Sequence, residues 1–373
     1  MLSNPFPTGI NQPNGSKLGI LTNAGSSISY YWPDRSIPYV HSFSGGFQYE
    51  FPFRTVIDIS YIGSRMRQLP TSKQMNSVTY AQYMANGSKL TGTVTNPFAG
   101  LLPGTSLNGA TMTLQQSLLP YPQFTGITEN GRTIGTSRYD SMQARIEKRF
   151  SAGFTFLFTG TWAKGSTFNS YLNGGMDDIG QFISRIDGTP PYILNWSGTY
   201  ALPFFANSSP ALRMALGGWM LAGTANYTRG NMITVGGANP TGIDPRIPNP
   251  TEAHMFNTCT YNDNTGLRQN CQSTTEPIAW IITKPYTLLT YPTPQFTHWR
   301  LANPVQINMS LFKSVKIKER AKVEFRAEAF NLTNTPISNY ANTTATASTF
   351  GARTSITQSN DARQVQLGLR FTF

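Results

Sequence analysis

The sequence predicts an all-β fold, an antiparallel up-and-down β-barrel wall that crosses a membrane. Three observations carry this. The closing stretch Ala362 to Phe373 puts Val365, Leu367, Leu369, Phe371 and Phe373 on one side of an extended strand, and Gln364, Gln366, Gly368, Arg370 and Thr372 on the other. A strand has period two, so one face is apolar and the other polar. The same alternation recurs along the chain in nine candidate strands, each of about ten residues, enough for a tilted strand to cross a bilayer. The connections alternate short and long, as where tight turns lie on the periplasmic side and long loops outside. A soluble half-buried sheet shares the alternation, so the first observation does not stand alone.

Taken in order, residues 1–40 read as a loop-like opening segment, rich in Pro, Gly and Asn. A further strand within 17–32 is an open alternative. Residues 41–373 read as the meander. Phe43 to Phe51 alternates, Pro52 interrupts, and Ile57, Ile59 and Tyr61 resume, which gives a hairpin. Residues 62–141 show no long strand pattern and are expected as an outer loop. Met142 to Arg149 and Phe154 to Trp162 flank the turn Ser151-Ala152-Gly153. Leu194 to Leu202 and Trp219 to Tyr227 form the next pair. A long segment follows, then Val305 to Leu311, a basic turn, Lys322 to Ala329, a polar loop, and the closing strand. Phe51, Trp162, Tyr200, Trp219, Tyr227 and Phe373 near strand ends suit the two interfacial aromatic girdles. Nine is odd, whereas single-chain bacterial barrels use even strand numbers. An open sheet edge in lipid leaves N–H and C=O groups unpaired, so further strands are expected to complete the wall.

Composition narrows the class. Charged residues make up 12% of the 373, about half the usual share. No apolar run of about 18 residues offers a transmembrane helix, and polar lumen residues dilute the apolar signal of a barrel. Met1-Leu2-Ser3-Asn4-Pro5 has neither the basic start nor the apolar core of an export signal. The net charge of +12 is scattered and accompanies no nucleic-acid motif. Phosphorylated outer-leaflet lipid is the better match, and no nucleic-acid partner is expected.

Cys259 and Cys271 lie in a turn-rich region, and a disulfide between them suits an oxidising exterior; two free thiols are the alternative. Zinc-ligand spacing is absent, and neither metal nor cofactor is expected. His41, His254 and His298 are dispersed, and Asp177-Asp178 is an adjacent loop pair. With no G-x-S-x-G elbow, H-E-x-x-H or phosphate loop, no enzyme is expected. The loop aromatics Tyr121, Phe124, Tyr171 and Trp280 are candidate solute contacts, with loop packing as the alternative for each.

Several stretches carry a resemblance: S-Y-I-G-S-R (60–65), N-P-F-A-G-L-L-P-G (96–104), L-L-P-Y-P-Q-F-T-G (118–126), M-Q-A-R-I-E-K-R-F-S-A-G (142–153), L-G-G-W-M-L-A-G (216–223), F-R-A-E-A-F-N-L-T-N-T-P (325–336) and the R-Q-V-Q-L-G-L-R-F-T-F end. In this order they resemble the C-terminal barrel of Oar-like TonB-dependent transporters of the Acidobacteria type. The match covers nearly the whole chain and is poorest over 255–300. The resemblance implies an outer-membrane barrel of about 22 strands with a plugged lumen, of which this chain supplies about nine or ten. It also implies a plug and further N-terminal domains outside this sequence, and energy coupling by TonB through that part. Val365, Leu367, Leu369, Phe371 and Phe373 would then be the signal read by the barrel-assembly machinery. The function implied is passage of an unidentified solute; a structural or adhesive barrel without active transport is the alternative.

Overall fold

A computed structural model of the chain describes residues 15, 17–171, 182–186, 188–230, 232–284, 299–301, 303–317, 321–335, 340–354 and 361–373. Nine strands follow one another across a single sheet: β1 (Tyr39–Phe51), β2 (Thr55–Gln74), β3 (Gly126–Ser151), β4 (Phe154–Tyr171), β5 (Tyr192–Ala201), β6 (Trp219–Thr228), β7 (Gln306–Ile317), β8 (Ala321–Phe330) and β9 (Gln364–Thr372). Each pairs antiparallel with its neighbours in sequence. The sheet does not close: among the described residues β1 pairs with β2 alone and β9 with β8 alone.

Register turns the alternation into two continuous faces. Residues directly opposite one another across a ladder point to the same side. The row Phe47, Ile59, Ala144, Gly160 and Leu194 crosses five strands. The row Phe154, Tyr200, Leu221, Leu311, Ala327 and Leu367 crosses six. The opposite face carries rows such as Asp58, Arg145, Thr159, Asn195 and Asn226. On the apolar face, glycines lie beneath aromatic rings. A Cβ on Gly63 would meet the Phe43 ring at 2.2 Å, so Gly63 lets that ring lie flat on the strand.

The distribution of burial is the reverse of a soluble sandwich. Among the described residues, the buried apolar residues Val56 and Ile127 belong to the nine strands and the rest lie in the connections. Among the described residues nothing forms a second layer over the apolar face: Phe47 is 62% exposed, Leu367 72% and Phe371 63%. A two-sheet packing would bury these residues. An apolar surface of this extent requires a non-aqueous neighbour.

Three expectations are corrected. Strands of about ten residues hold for β5 to β9, but β2, β3 and β4 run far beyond a bilayer's thickness. Much of the expected outer loop 62–141 is the paired continuation of β2 and β3, with register shifts between Met66 and Ser72. Beyond the apolar band neither face meets lipid, so nothing imposes alternation there. The opening segment is not all loop: Ser27–Tyr31 is a strand lying parallel to Gly126–Asn130. It joins the outer extension of β3 and is not a tenth wall strand. Within β8 the charges pair along the strand: Glu324 takes Lys322 at 3.0 Å and Arg326 at 2.5 Å.

The added strand is pinned by a buried carboxylate. Glu129 is fully buried; it pairs with Arg132 Nε at 2.6 Å and accepts from Tyr30 Oη–H at 3.0 Å. Burial, reinforced by Glu129, pushes the Tyr30 hydroxyl above its ordinary range. Arg132 also lies over the Trp32 ring, 4.3 Å from its centroid. Glu129→Ala strands the guanidinium and frees Tyr30. Arg132 keeps partial solvent contact, so the cost falls below that of a fully buried pair, at about 2 kcal/mol. Faster amide exchange over Ser27–Tyr31 with unchanged exchange in β5 to β8 is the expected readout.

The outer connections form their own packed units. Residues 229–305 and 331–363 share an aromatic core of Phe256, Trp280, Trp299 and Phe350, with Tyr340 against it. A small sheet supports it, built of Asn239–Pro240, Trp280–Ile282, Thr260–Asn262 and Leu267–Gln269. Cys259 and Cys271 are joined in a disulfide within this unit.

Candidate functional site

The polar face is the candidate site. It is held by the strand interior, where hydroxyl and amide side chains recur at every second position. Thr155 and Thr199 share a hydrogen bond of 2.6 Å between hydroxyls, and Asn195 Nδ2 donates to Thr159 Oγ1 at 3.4 Å. A cavity of about 700 Å³ lies along this face, lined among others by Arg145, Glu147, Thr199, Asn308, Ser310 and Glu328. Arg145 is on β3 and Glu328 on β8. Five strand spacings would be about 24 Å in a flat sheet, so one cavity reaching both indicates a sheet curved toward its polar side. Arg145 pairs with Glu147 beside it, and Gln366 Nε2 donates to Glu328 across the last ladder. The floor mixes Thr155, Ser197, Thr199, Asn308 and Ser310 with apolar Phe156, Ala222 and Met309, and the charged side chains stand at its margins. Such a surface can hold water and polar solutes along its hydroxyl and amide groups.

Val365, Leu367, Leu369 and Phe371 lie on one face of β9, and they and Phe373, which follows the strand, are exposed. Of the loop aromatics, Trp280 takes the packing alternative: it is 2% exposed and its Nε1–H donates to Asn257 O at 2.7 Å. Tyr121 is exposed and turns through Asn76, which accepts from its N–H. Phe124 and Tyr171 are half-buried, and Lys73 lies over the Tyr171 ring. The four are not brought together at the cavity. His41 stands on the apolar face opposite Arg65, while His254 lies 3.8 Å from Glu276 in the outer unit. His298 and Asp177-Asp178 lie outside the described residues. Cys259, Cys271 and Glu276 lie close together, but both sulfurs are in the disulfide.

The sequence reading missed charges on the apolar face. Lys313 faces Trp219 and Phe325 across its ladders, is 8% exposed, and donates to Ala215 O at 2.7 Å. It ties the short helix Pro210–Leu216 to the rim at the short-turn end. At the long-loop end, Arg65, Arg138, Asp140 and Lys164 have the same parity as Tyr61, Met142 and Trp162. Extending the alternation past the last apolar residue would have found them.

A family model described as an outer membrane beta barrel domain matches residues 1–366. No curated protein matches the chain. Among solved structures, the Escherichia coli outer membrane transporter YddB is similar at a TM-score of 0.40 and 10% identity, covering 94% of this chain and 34% of that one. The E. coli K12 ferric-catecholate import receptor Fiu, in its closed form, gives 0.37 and 8%, covering 99% and 31%. FpvAI, from its complex with pyocin S2, gives 0.37 and 11%, covering 91% and 28%. The chain thus spans about a third of the length of these structures.

Proposed function

The chain belongs to the outer membrane beta barrel domain family, and from that premise we propose that it forms part of the wall of a larger transporter or receptor barrel of the TonB-dependent, Oar-like kind. Its place is the outer membrane of Gram-negative bacteria. The observation that carries the reading is the pairing, among the described residues, of an uncovered apolar face with two unpaired sheet edges. In hydrocarbon each unsatisfied edge group costs several kcal/mol, so β1 and β9 call for further strands. The polar face then lines a lumen through which a polar solute moves, with a plug and a coupling protein supplied outside these residues. The reading includes no enzymatic step. Barrel-assembly machinery would receive the β9 end, where Phe371 and Phe373 are presented.

The experiment is to tag the chain after Phe373 and blot the outer membrane of its native host. The expected result is a heat-modifiable barrel larger than 41.1 kDa, either as one polypeptide or with a tightly held second piece. A closed, heat-modifiable barrel made by the 41.1 kDa chain alone would contradict it.

A further inference from the structure

We propose that the short helix Pro210–Leu216 is an interfacial foot that lies in the periplasmic leaflet of the outer membrane and binds its phospholipid, an inference that rests on the membrane placement above. At the short-turn end the connections are brief between β1 and β2 (52–54) and between β3 and β4 (152–153), whereas the one between β5 and β6 spans 202–218 and carries a helix. That helix reads P-A-L-R-M-A-L, apolar at every position but Arg213. None of its residues is buried, and Leu212, Met214 and Leu216 are 47–58% exposed. A helix this short is not stable in water by itself and needs an apolar neighbour to pack on; among the described residues no protein covers it. Phe204 and Phe205, in the turn that leads to it, are exposed as well. A Cβ on Gly217, just past the helix, would meet Arg213 O at 2.8 Å and Phe204 O at 3.1 Å, so the two arms of the connection adjoin and their apolar side chains form one patch.

What the patch meets follows from where the helix is tied. Lys313 has the parity of Leu311 on the apolar face and stands between Trp219 and Phe325. Its ammonium lies 5.5 Å from the centre of the Trp219 ring and donates to Ala215 O, in the last turn of the helix, at 2.7 Å. A cation is favourable at the carbonyl end of a helix, and the bond spares a lysine on a lipid-facing position from lying unpaired in hydrocarbon. The tie sets the C-terminal end of the helix against the outward side of the wall. It does so beside Trp219 and Phe325, aromatic residues of the kind that mark the membrane–water boundary. The apolar surface of the helix therefore continues the apolar face of the sheet, and a protein partner would have to sit where lipid already meets that face. Arg213 is exposed and makes no ion pair among the described residues. Phosphates at this level are partners for its guanidinium. Apolar area against acyl chains and a cation against phosphate are the two terms by which interfacial helices hold a membrane.

The test uses the protein as assembled in outer membranes, extracted in detergent, labelled with a fluorophore at M214C and reconstituted into vesicles of phosphatidylethanolamine and phosphatidylglycerol with brominated acyl chains. Heat-shifted mobility checks that each variant is assembled. The M214C label is expected to be quenched by the brominated lipid. In L212E/L216E, which keeps good helix formers at both positions, the same label is expected to lose that quenching, to become quenched by aqueous iodide and to shift its emission to longer wavelength. Three results overturn the proposal. Quenching of the M214C label by iodide and not by brominated lipid places the helix in water. Quenching by neither means that protein covers it, a second copy or a periplasmic partner. Unchanged lipid quenching in L212E/L216E means that Leu212 and Leu216 do not hold it in the leaflet. A label at L194C, mid-wall on the apolar face, is the reference: its failure to be quenched by brominated lipid contradicts the membrane placement itself, a separate result.

Discussion

Trp196→Arg is expected to abolish assembly of the sheet into the outer membrane, while Ser197→Arg, one residue on, leaves it in place. Trp196 sits mid-strand on the apolar face, opposite Phe158 on one side and Ala225 on the other. Its ring is 5.6 Å from that of Phe158. An arginine there meets hydrocarbon, at a cost of about 2–4 kcal/mol near the midplane. Loss of the aromatic pair adds about 1 kcal/mol. Ser197 lines the polar cavity, where a guanidinium finds water and Glu147. Abundance in the outer-membrane fraction and heat-shifted mobility report the difference. Equal loss in both variants would mean that the faces do not have the environments assigned to them.

The second large effect is expected outside the membrane. Trp280→Ala removes the centre of the aromatic core that joins the β6–β7 connection to the β8–β9 connection. Phe256, Trp299 and Phe350 stand around its ring at 5.8–6.5 Å between centroids. Truncating a buried Trp costs about 3–5 kcal/mol, and Asn257 O loses its donor. Because this core is separate from the sheet, the damage should stay local. Limited proteolysis is expected to cut within 229–305 and 331–363 while the protein stays assembled with its heat-shifted mobility. Loss of the whole protein from the membrane would instead make this unit a folding requirement of the wall.

These two sites also show what the sequence could and could not convey. Trp196 was legible because a strand between lipid and water must alternate, and Leu194, Trp196, Gly198 and Tyr200 do so without a break. All nine wall strands were legible for that reason. The paired stretches Ile62–Gln74 and Gly126–Ser137 were not, since both of their faces lie beyond the apolar band and bulges shift their register. Ser27–Tyr31 was illegible for a different reason: its partner lies about a hundred residues away, a distance that local pattern does not span. Trp280 illustrates the limit for loops. Its exposure is set by contacts with Phe256, Trp299 and Phe350, which no local pattern encodes. The charges at the upper edge of the apolar face were within reach, because Arg138, Asp140 and Met142 share one parity.

The central claim is that one face of this sheet meets lipid and the other a watery lumen. A cysteine scan of β5 from Ile193 to Tyr200, in the membrane-assembled protein, tests it most directly. Cys259 and Cys271 are bonded to each other and do not take label. Positions 193, 195, 197 and 199 are expected to react with a water-soluble maleimide. Positions 194, 196, 198 and 200 are expected to resist it and, once labelled with a fluorophore in detergent and reconstituted, to be quenched by brominated lipid. Reactivity with no period of two, or water-soluble labelling at 194 and 196, would contradict the account.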